Sequence, residues 1–256
     1  MKASAWAAAA ASLAVTLLVA APAFAADPDA LWRIVSEQCV PDQQAHHDPA
    51  PCLSVDLAGG YAVLKDLNGP TQVLVIPTTQ VIGIESVALL EPDSPNYFAD
   101  AWNARAEVEQ LAHRAIPRED FALAINSTYA RTQEQLHIHV DCIRPEVRDA
   151  LSTVLERIGR KWAPLDVALA GHRYRAMRID GDNLGDHDPF KLLAEGDPMA
   201  RADMAVETLV VVGADFPDGA PGFVLLSDRA DISAHDPAAG EALLDHACKV
   251  LKPMGG

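Results

Sequence analysis

Basic residues are scarce in this 256-residue chain: 20 Lys and Arg face 36 Asp and Glu, for a formal net charge of −16. That excludes a general nucleic-acid binder, which needs a positive field to meet phosphates. It does not exclude a small anionic substrate, for which a local cluster of donors is enough. Past residue 25 no apolar run is long enough to span a bilayer. No two of the four cysteines have the C-x₂₋₄-C spacing of a metal half-site. Linker-like stretches and sequence repeats are also lacking, so the length suits one large domain or two small ones. The acidic run Asp180, Asp182, Asp186 and Asp188 lacks the glutamate that completes a calcium loop, and reads as a solvated turn. Aromatics make up 5% of the chain, yet half of its residues are hydrophobic, enough for a substantial core.

What is present begins with a leader. Lys2 precedes an apolar run from Ala5 to Ala21, and Pro22-Ala23-Phe24-Ala25 supplies small residues at a cleavage site. Residues 1–25 are expected to be a secretory signal cut after Ala25, or else a retained N-terminal anchor, with 26–256 forming the domain. Either reading places the domain outside the cytoplasm. Cys39, Cys52, Cys142 and Cys248 then allow up to two disulfides in three pairings. The short loop between Cys39 and Cys52 favours that pair, which leaves Cys142 with Cys248.

Periodicity predicts a helix over 29–39, a loop over 41–51, and a hairpin of strands 61–65 and 71–76 around Asp66-Leu67-Asn68-Gly69-Pro70. A long helix is expected over 95–114, with Phe98, Trp102, Ala106 and Val108 inward. A buried strand at 121–125, a polar connection at 126–134 and a strand at 135–143 follow, then a helix from Pro145 to about Lys161. Further strands are expected at 173–179, 208–212 and 222–227, with short helices over 190–204 and a last helix over 237–252. The class is α+β: a mostly antiparallel sheet with flanking helices and a C-terminal α/β extension.

Strand alternation puts Gln135, His137, His139 and Asp141 on one face, expected to be exposed, with Leu136, Ile138 and Val140 on the other. Such a polar row could grip a pyrophosphate. Histidine can act as nucleophile or proton donor near neutral pH. Taken alone, an H-x-H pair also fits a metal half-site or plain surface histidines. The preceding connection, with Asn126, Ser127, Thr128, Thr132 and Gln133, is where phosphate-touching groups would sit. Arg144 and Arg148 could flank an anionic site. His46, His47, His113, His172, His187, His235 and His246 have no spacing that suggests ligation, and read as structural or surface residues.

The strand resembles the His-φ-His-φ-His-φ-φ signature of the histidine-triad superfamily. The likeness is closer to the bacterial CDP-diacylglycerol pyrophosphatase family, over LKDLNGP (64–70), LAIN (123–126), RTQ (131–133), HIHVDCIRPEVR (137–148), GHRYRAMR (171–178), PFKLLAE (189–195) and FVLLSDR (223–229). It runs from about Leu31 to the C-terminus. The resemblance implies a HIT-like fold and hydrolysis of CDP-diacylglycerol to CMP and phosphatidate, with no metal or other cofactor. His137 falls in the nucleophile slot and His139 in the third slot. Gln135 occupies the first slot, where the pattern has histidine, so it keeps hydrogen bonding but takes up no charge. Asp66 matches the ribose-binding aspartate and Thr132 a phosphate-contacting hydroxyl. Arg131 departs from the glutamine usual there, and Lys65 and Asn126 are further substrate-binding candidates. The implied setting is the periplasm or the periplasmic face of the inner membrane, with the membrane surface as partner. A general nucleotide pyrophosphatase or nucleotidyl transferase of the same superfamily is one alternative. A catalytically impaired exported binding protein is another.

Overall fold

The computed structural model describes residues 27–251, so the expected leader lies outside them. In these residues nine strands form a single antiparallel sheet: β1 (Ser54–Asp56), β2 (Tyr61–Lys65), β3 (Val73–Pro77), β4 (Phe121–Ile125), β5 (Ile138–Cys142), β6 (Ala163–Leu169), β7 (His172–Asp180), β8 (Glu207–Asp215) and β9 (Pro221–Arg229). The order is β1-β2-β3-β5-β4-β8-β9-β7-β6. Beyond the edge strand β1 this order is palindromic. The run β2, β3, β5, β4 is matched by β6, β7, β9, β8, and the halves join where Leu123 of β4 pairs with Val211 of β8. The C-terminal extension is therefore a topological copy of the first half, continuing the same sheet.

Both faces are covered. Ile138, Val140 and Cys142 point into a core with Phe98, Trp102, Phe121 and Phe223, supplied partly by α3 (Tyr97–Asn103) and α4 (Arg105–Ala112). On the opposite face, α5 (Pro145–Ser152) packs Val147 and Leu151 with Val224 and Leu226. Farther along that face, Val35 and Cys39 of the N-terminal helix pack with Ala62, Leu64, Leu74 and Ile76. Between these two clusters lie His139 and Asp141.

Several expectations are corrected. The N-terminal helix does not stop at Cys39. It runs through α1 (Ala30–Ile34), a π-helical turn (Val35–Cys39) and α2 (Val40–His46), ending at the left-handed His47. Pro41 has no N–H to donate, and the π turn just before it accommodates the missing bond. The helix expected over 95–114 is broken at Ala104, so the buried positions are Ala101 and Ala104 while Ala106 is exposed. The helix expected to reach Lys161 ends at Ser152, where the Ser152 and Thr153 hydroxyls bond back to the carbonyls of Asp149 and Ala150. Strands β1 and β6 were not anticipated. Two short helices, α6 (Pro189–Gly196) and α7 (Pro198–Ala202), occupy the stretch expected to be helical there.

The largest correction concerns 237–252. In place of a helix, the chain forms an arm with isolated 3₁₀ turns at Gly240–Leu243 and Lys249–Leu251. Ala238 and Cys248 have φ of 53° and 43°, which a helix cannot hold. The arm's polar groups go to distant partners: Glu241 N–H donates to Asn126 Oδ1, and Asp245 N–H donates to the Cys142 carbonyl. Disulfides join Cys39 to Cys52 and Cys142 to Cys248, so the pair favoured by loop length is present.

Candidate active site

β5 starts at Ile138, so Gln135 and His137 precede it rather than lie within it. The polar row is buried, not exposed: Gln135, His137, His139 and Asp141 all lie beneath other elements. The covering residues come from the N-terminal helix and the C-terminal arm, both far away in sequence.

His137 and His139 face one cavity of about 690 Å³. Its polar end also carries Lys65, Asp66, Asn126, Arg131, Thr132 and Glu241, and its apolar end is walled by Leu31, Ile34, Leu64 and Leu74. Six of the seven expected site residues therefore line one space.

Gln135 is the exception. Its amide nitrogen donates to the carbonyls of Pro77 and Thr79, and its amide oxygen accepts from Val81 N–H. The side chain is fully spent on pinning the backbone that follows β3. What Gln135 contributes to the site is its main-chain carbonyl, 2.7 Å from His137 Nδ1. A carbonyl only accepts, so Nδ1 carries the proton and Nε2 keeps its lone pair. Burial holds His137 below the ordinary histidine pKa, in its neutral form.

His139 is set the other way. Gln72, buried and not anticipated as a site residue, directs its amide nitrogen to His139 Nδ1 at 3.1 Å. The same nitrogen also faces Asp66 and, at 3.2 Å, Glu241, so its two hydrogens are shared among three acceptors. With Nδ1 accepting, Nε2 carries the hydrogen, and Nε2 is buried without a partner. Burial, together with the adjacent His137, pushes the His139 pKa well down despite Glu241 and Asp66. One ring thus offers a lone pair and the other an N–H donor.

The remaining groups frame this pair. Asp66 accepts from Asn68 N–H in the β2–β3 turn, and Lys65 Nζ donates to the Asp66 and Gly69 carbonyls at 2.5 and 2.8 Å. Gly69 is left-handed, and a Cβ there would collide with the His246 carbonyl, so glycine lets the arm close on the hairpin. Arg131 is clamped by both Glu85 oxygens at 2.7 and 2.6 Å, which hold it charged beside His137. Asn126 is bonded to Glu241. Of the flanking arginines, Arg148 is paired with Asp120 and Asp149, and Arg144 lines a separate cavity. Ligand atoms of Asp66, His139 and Glu241 lie within 4.8 Å of one another, a spacing that could hold a cation, and all three converge on the Gln72 amide nitrogen.

Residues 26–252 match the CDP-diacylglycerol pyrophosphatase family. The chain belongs to that family. A relative from Yersinia pestis named CDP-diacylglycerol pyrophosphatase is 45% identical over 223 residues, which is 87% of this chain and 85% of the relative. Within this family frame, Gln72, Glu241 and His246 are the residues that sequence reasoning missed. Gln72 shares the alternation of Leu74 and Ile76, and that polar position in an apolar strand was the available signal. Glu241 and His246 carried none, because the arm was expected to be helical.

Proposed function

We propose that the chain hydrolyses CDP-diacylglycerol to CMP and phosphatidate, with His137 as nucleophile. The observation that carries the proposal is the Gln135 carbonyl on His137 Nδ1, which leaves Nε2 free to attack from the cavity floor. Cytosine fits the apolar end between Leu31, Ile34, Leu64 and Leu74, with the ribose beside Asp66. The pyrophosphate then lies over His137, His139 and Thr132. His137 Nε2 bonds to the phosphorus of the CMP half, and the bond to the bridging oxygen breaks. His139 Nε2–H donates a hydrogen bond to the developing charge on that oxygen as phosphatidate leaves. Water then frees CMP from the cytidylyl-histidine. Gln135 acts by holding His137 in place, and its uncharged side chain supports the floor without entering the chemistry.

The proposed setting is an exported domain working at the periplasmic membrane surface. Two disulfides, which persist in oxidising compartments, support export. No helix among the described residues is long and apolar enough to cross a membrane. The test is CMP release from CDP-diacylglycerol in detergent micelles. His137→Ala is expected to lose on the order of 10³-fold or more in kcat. Full activity in that variant overturns the mechanism.

A further inference from the structure

We propose that Glu241 is a further catalytic residue, the base for the water that breaks down the cytidylyl-histidine, and that His246 carries its proton out to a second cavity. The proposal rests on the two-step reading above and assigns groups to its second step.

Glu241 lines the same cavity as His137 and is held firmly there. Its backbone N–H donates to Asn126 Oδ1 at 3.0 Å, and Asn126 Nδ2 donates to its Oε2 at 3.3 Å. Its Oε1 lies 3.4 Å from His139 Nδ1 and 3.4 Å from His246 Nε2. Asp66, the other carboxylate lining this cavity, is tied into the hairpin turn and set beside the ribose position.

His246 is oriented from behind. Its Nδ1 lies 3.3 Å from Asp141 Oδ2, and Asp141 is buried and accepts from Thr71 at 2.8 Å. In neutral His246 this puts the hydrogen on Nδ1 and leaves Nε2 open toward Glu241. His246 does not line the first cavity. It lines a separate one of about 520 Å³ with Gly69, Arg144, Glu146, Asp245 and Lys249. The Glu241–His246 contact is therefore a bridge between two spaces. The charged groups facing that bridge are His139, Asp66 and Asp141 on the site side, and Arg144, Glu146, Asp245 and Lys249 on the other.

The step balances. Water oxygen bonds to phosphorus, the N–P bond breaks, and its electron pair returns to His137 Nε2. One water proton passes to the Glu241 carboxylate, then to His246 Nε2, and the His246 imidazolium releases a proton to solvent.

The test is rapid quench with CDP-diacylglycerol labelled in the cytidine and in the phosphatidate. In Glu241→Gln, phosphatidate should appear in a fast burst equal to the enzyme concentration. Label should stay on the protein as cytidylyl-histidine, with CMP released roughly 10²-fold more slowly than by wild type. His246→Gln, which leaves the lining of the first cavity intact, should slow the same breakdown step by about 10-fold, with partial recovery in imidazole buffer. Equal slowing of burst and breakdown in both variants, or no change in either, overturns the relay. Should Glu241→Gln not fold, His246→Gln and Glu241→Asp carry the same readout. A wild type that forms no labelled protein and releases no CMP refutes the parent reading instead.

Discussion

His137 and His139 turn opposite faces of the same chemistry to one cavity. Their rings lie 5.0 Å apart at 68°, one with Nδ1 on a carbonyl and the other with Nδ1 on an amide nitrogen. The first ring is left with a lone pair and the second with a free N–H. Two identical side chains, two residues apart, thus acquire separate roles from their hydrogen-bond partners. Burial keeps both rings neutral, which each role requires.

The neutrality sets the acid side of the pH profile. Protonation of His137 abolishes the nucleophile, and its folded pKa lies below the ordinary 6.5, with burial the main cause. The nearby charges oppose one another: Glu241 and Asp66 raise the value and Arg131 lowers it. The acid limb of kcat/KM should therefore have its midpoint below pH 6.5. A midpoint at or above 6.5 contradicts this assignment.

Gln135 is expected to matter for stability more than for chemistry. Gln135→Ala strands the Pro77 carbonyl and the Val81 N–H in a buried place, while the exposed Thr79 can turn its carbonyl to water. At about 1–3 kcal/mol per buried unsatisfied group, the loss should be roughly 2 kcal/mol or more. Thermal unfolding should shift down by on the order of 5 °C. Calorimetry checks this, and an unchanged midpoint removes Gln135 from the framework.

The disulfides should separate in their effects. Cys142–Cys248 closes 106 residues and anchors the arm carrying Glu241 and His246, whereas Cys39–Cys52 closes 13. Chain entropy assigns about 4.7 kcal/mol to a loop of that longer size and about 3 kcal/mol to the shorter one. Replacing Cys142 and Cys248 with serine should cost more stability and lower kcat. Replacing Cys39 and Cys52 loosens the helix that walls the apolar end, and should raise KM. Equal effects on both constants from either pair count against this division.

Local pattern marked some of this architecture and missed the rest. β2 and β4 were legible as short apolar runs bounded by turn residues, and their limits matched. β6 was not, because its exposed edge positions break the apolar pattern. The row of Gln135, His137, His139 and Asp141 was visible from alternation, but its burial was not. The residues covering it lie about a hundred positions away on either side. The arm has the composition of a helix, and its course is decided by Asn126, Cys142 and Ile143. The palindromic sheet has no sequence trace: the β9 positions on the histidine face are Val224 and Leu226, packed under α5. The second half repeats the frame without the chemistry.

Asp100 offers a test of electrostatics away from the site. It lies in the first turn of α3, and burial, together with Asp56, pushes its pKa up to about 6. The folded state therefore holds this proton more tightly than the unfolded chain, whose value is 3.8. Its contribution to stability is complete below pH 3.8 and is lost as pH rises through 6. Two units would correspond to almost 3 kcal/mol, and partial exposure reduces that to about 1 kcal/mol. Asparagine has the same shape and no charge to bury. Asp100→Asn should accordingly unfold about 2–4 °C above wild type at pH 8. At pH 3.5 the native carboxyl is itself neutral, and the difference should vanish. Melting curves at the two pH values decide it, since a packing effect would persist at both and an electrostatic one would not.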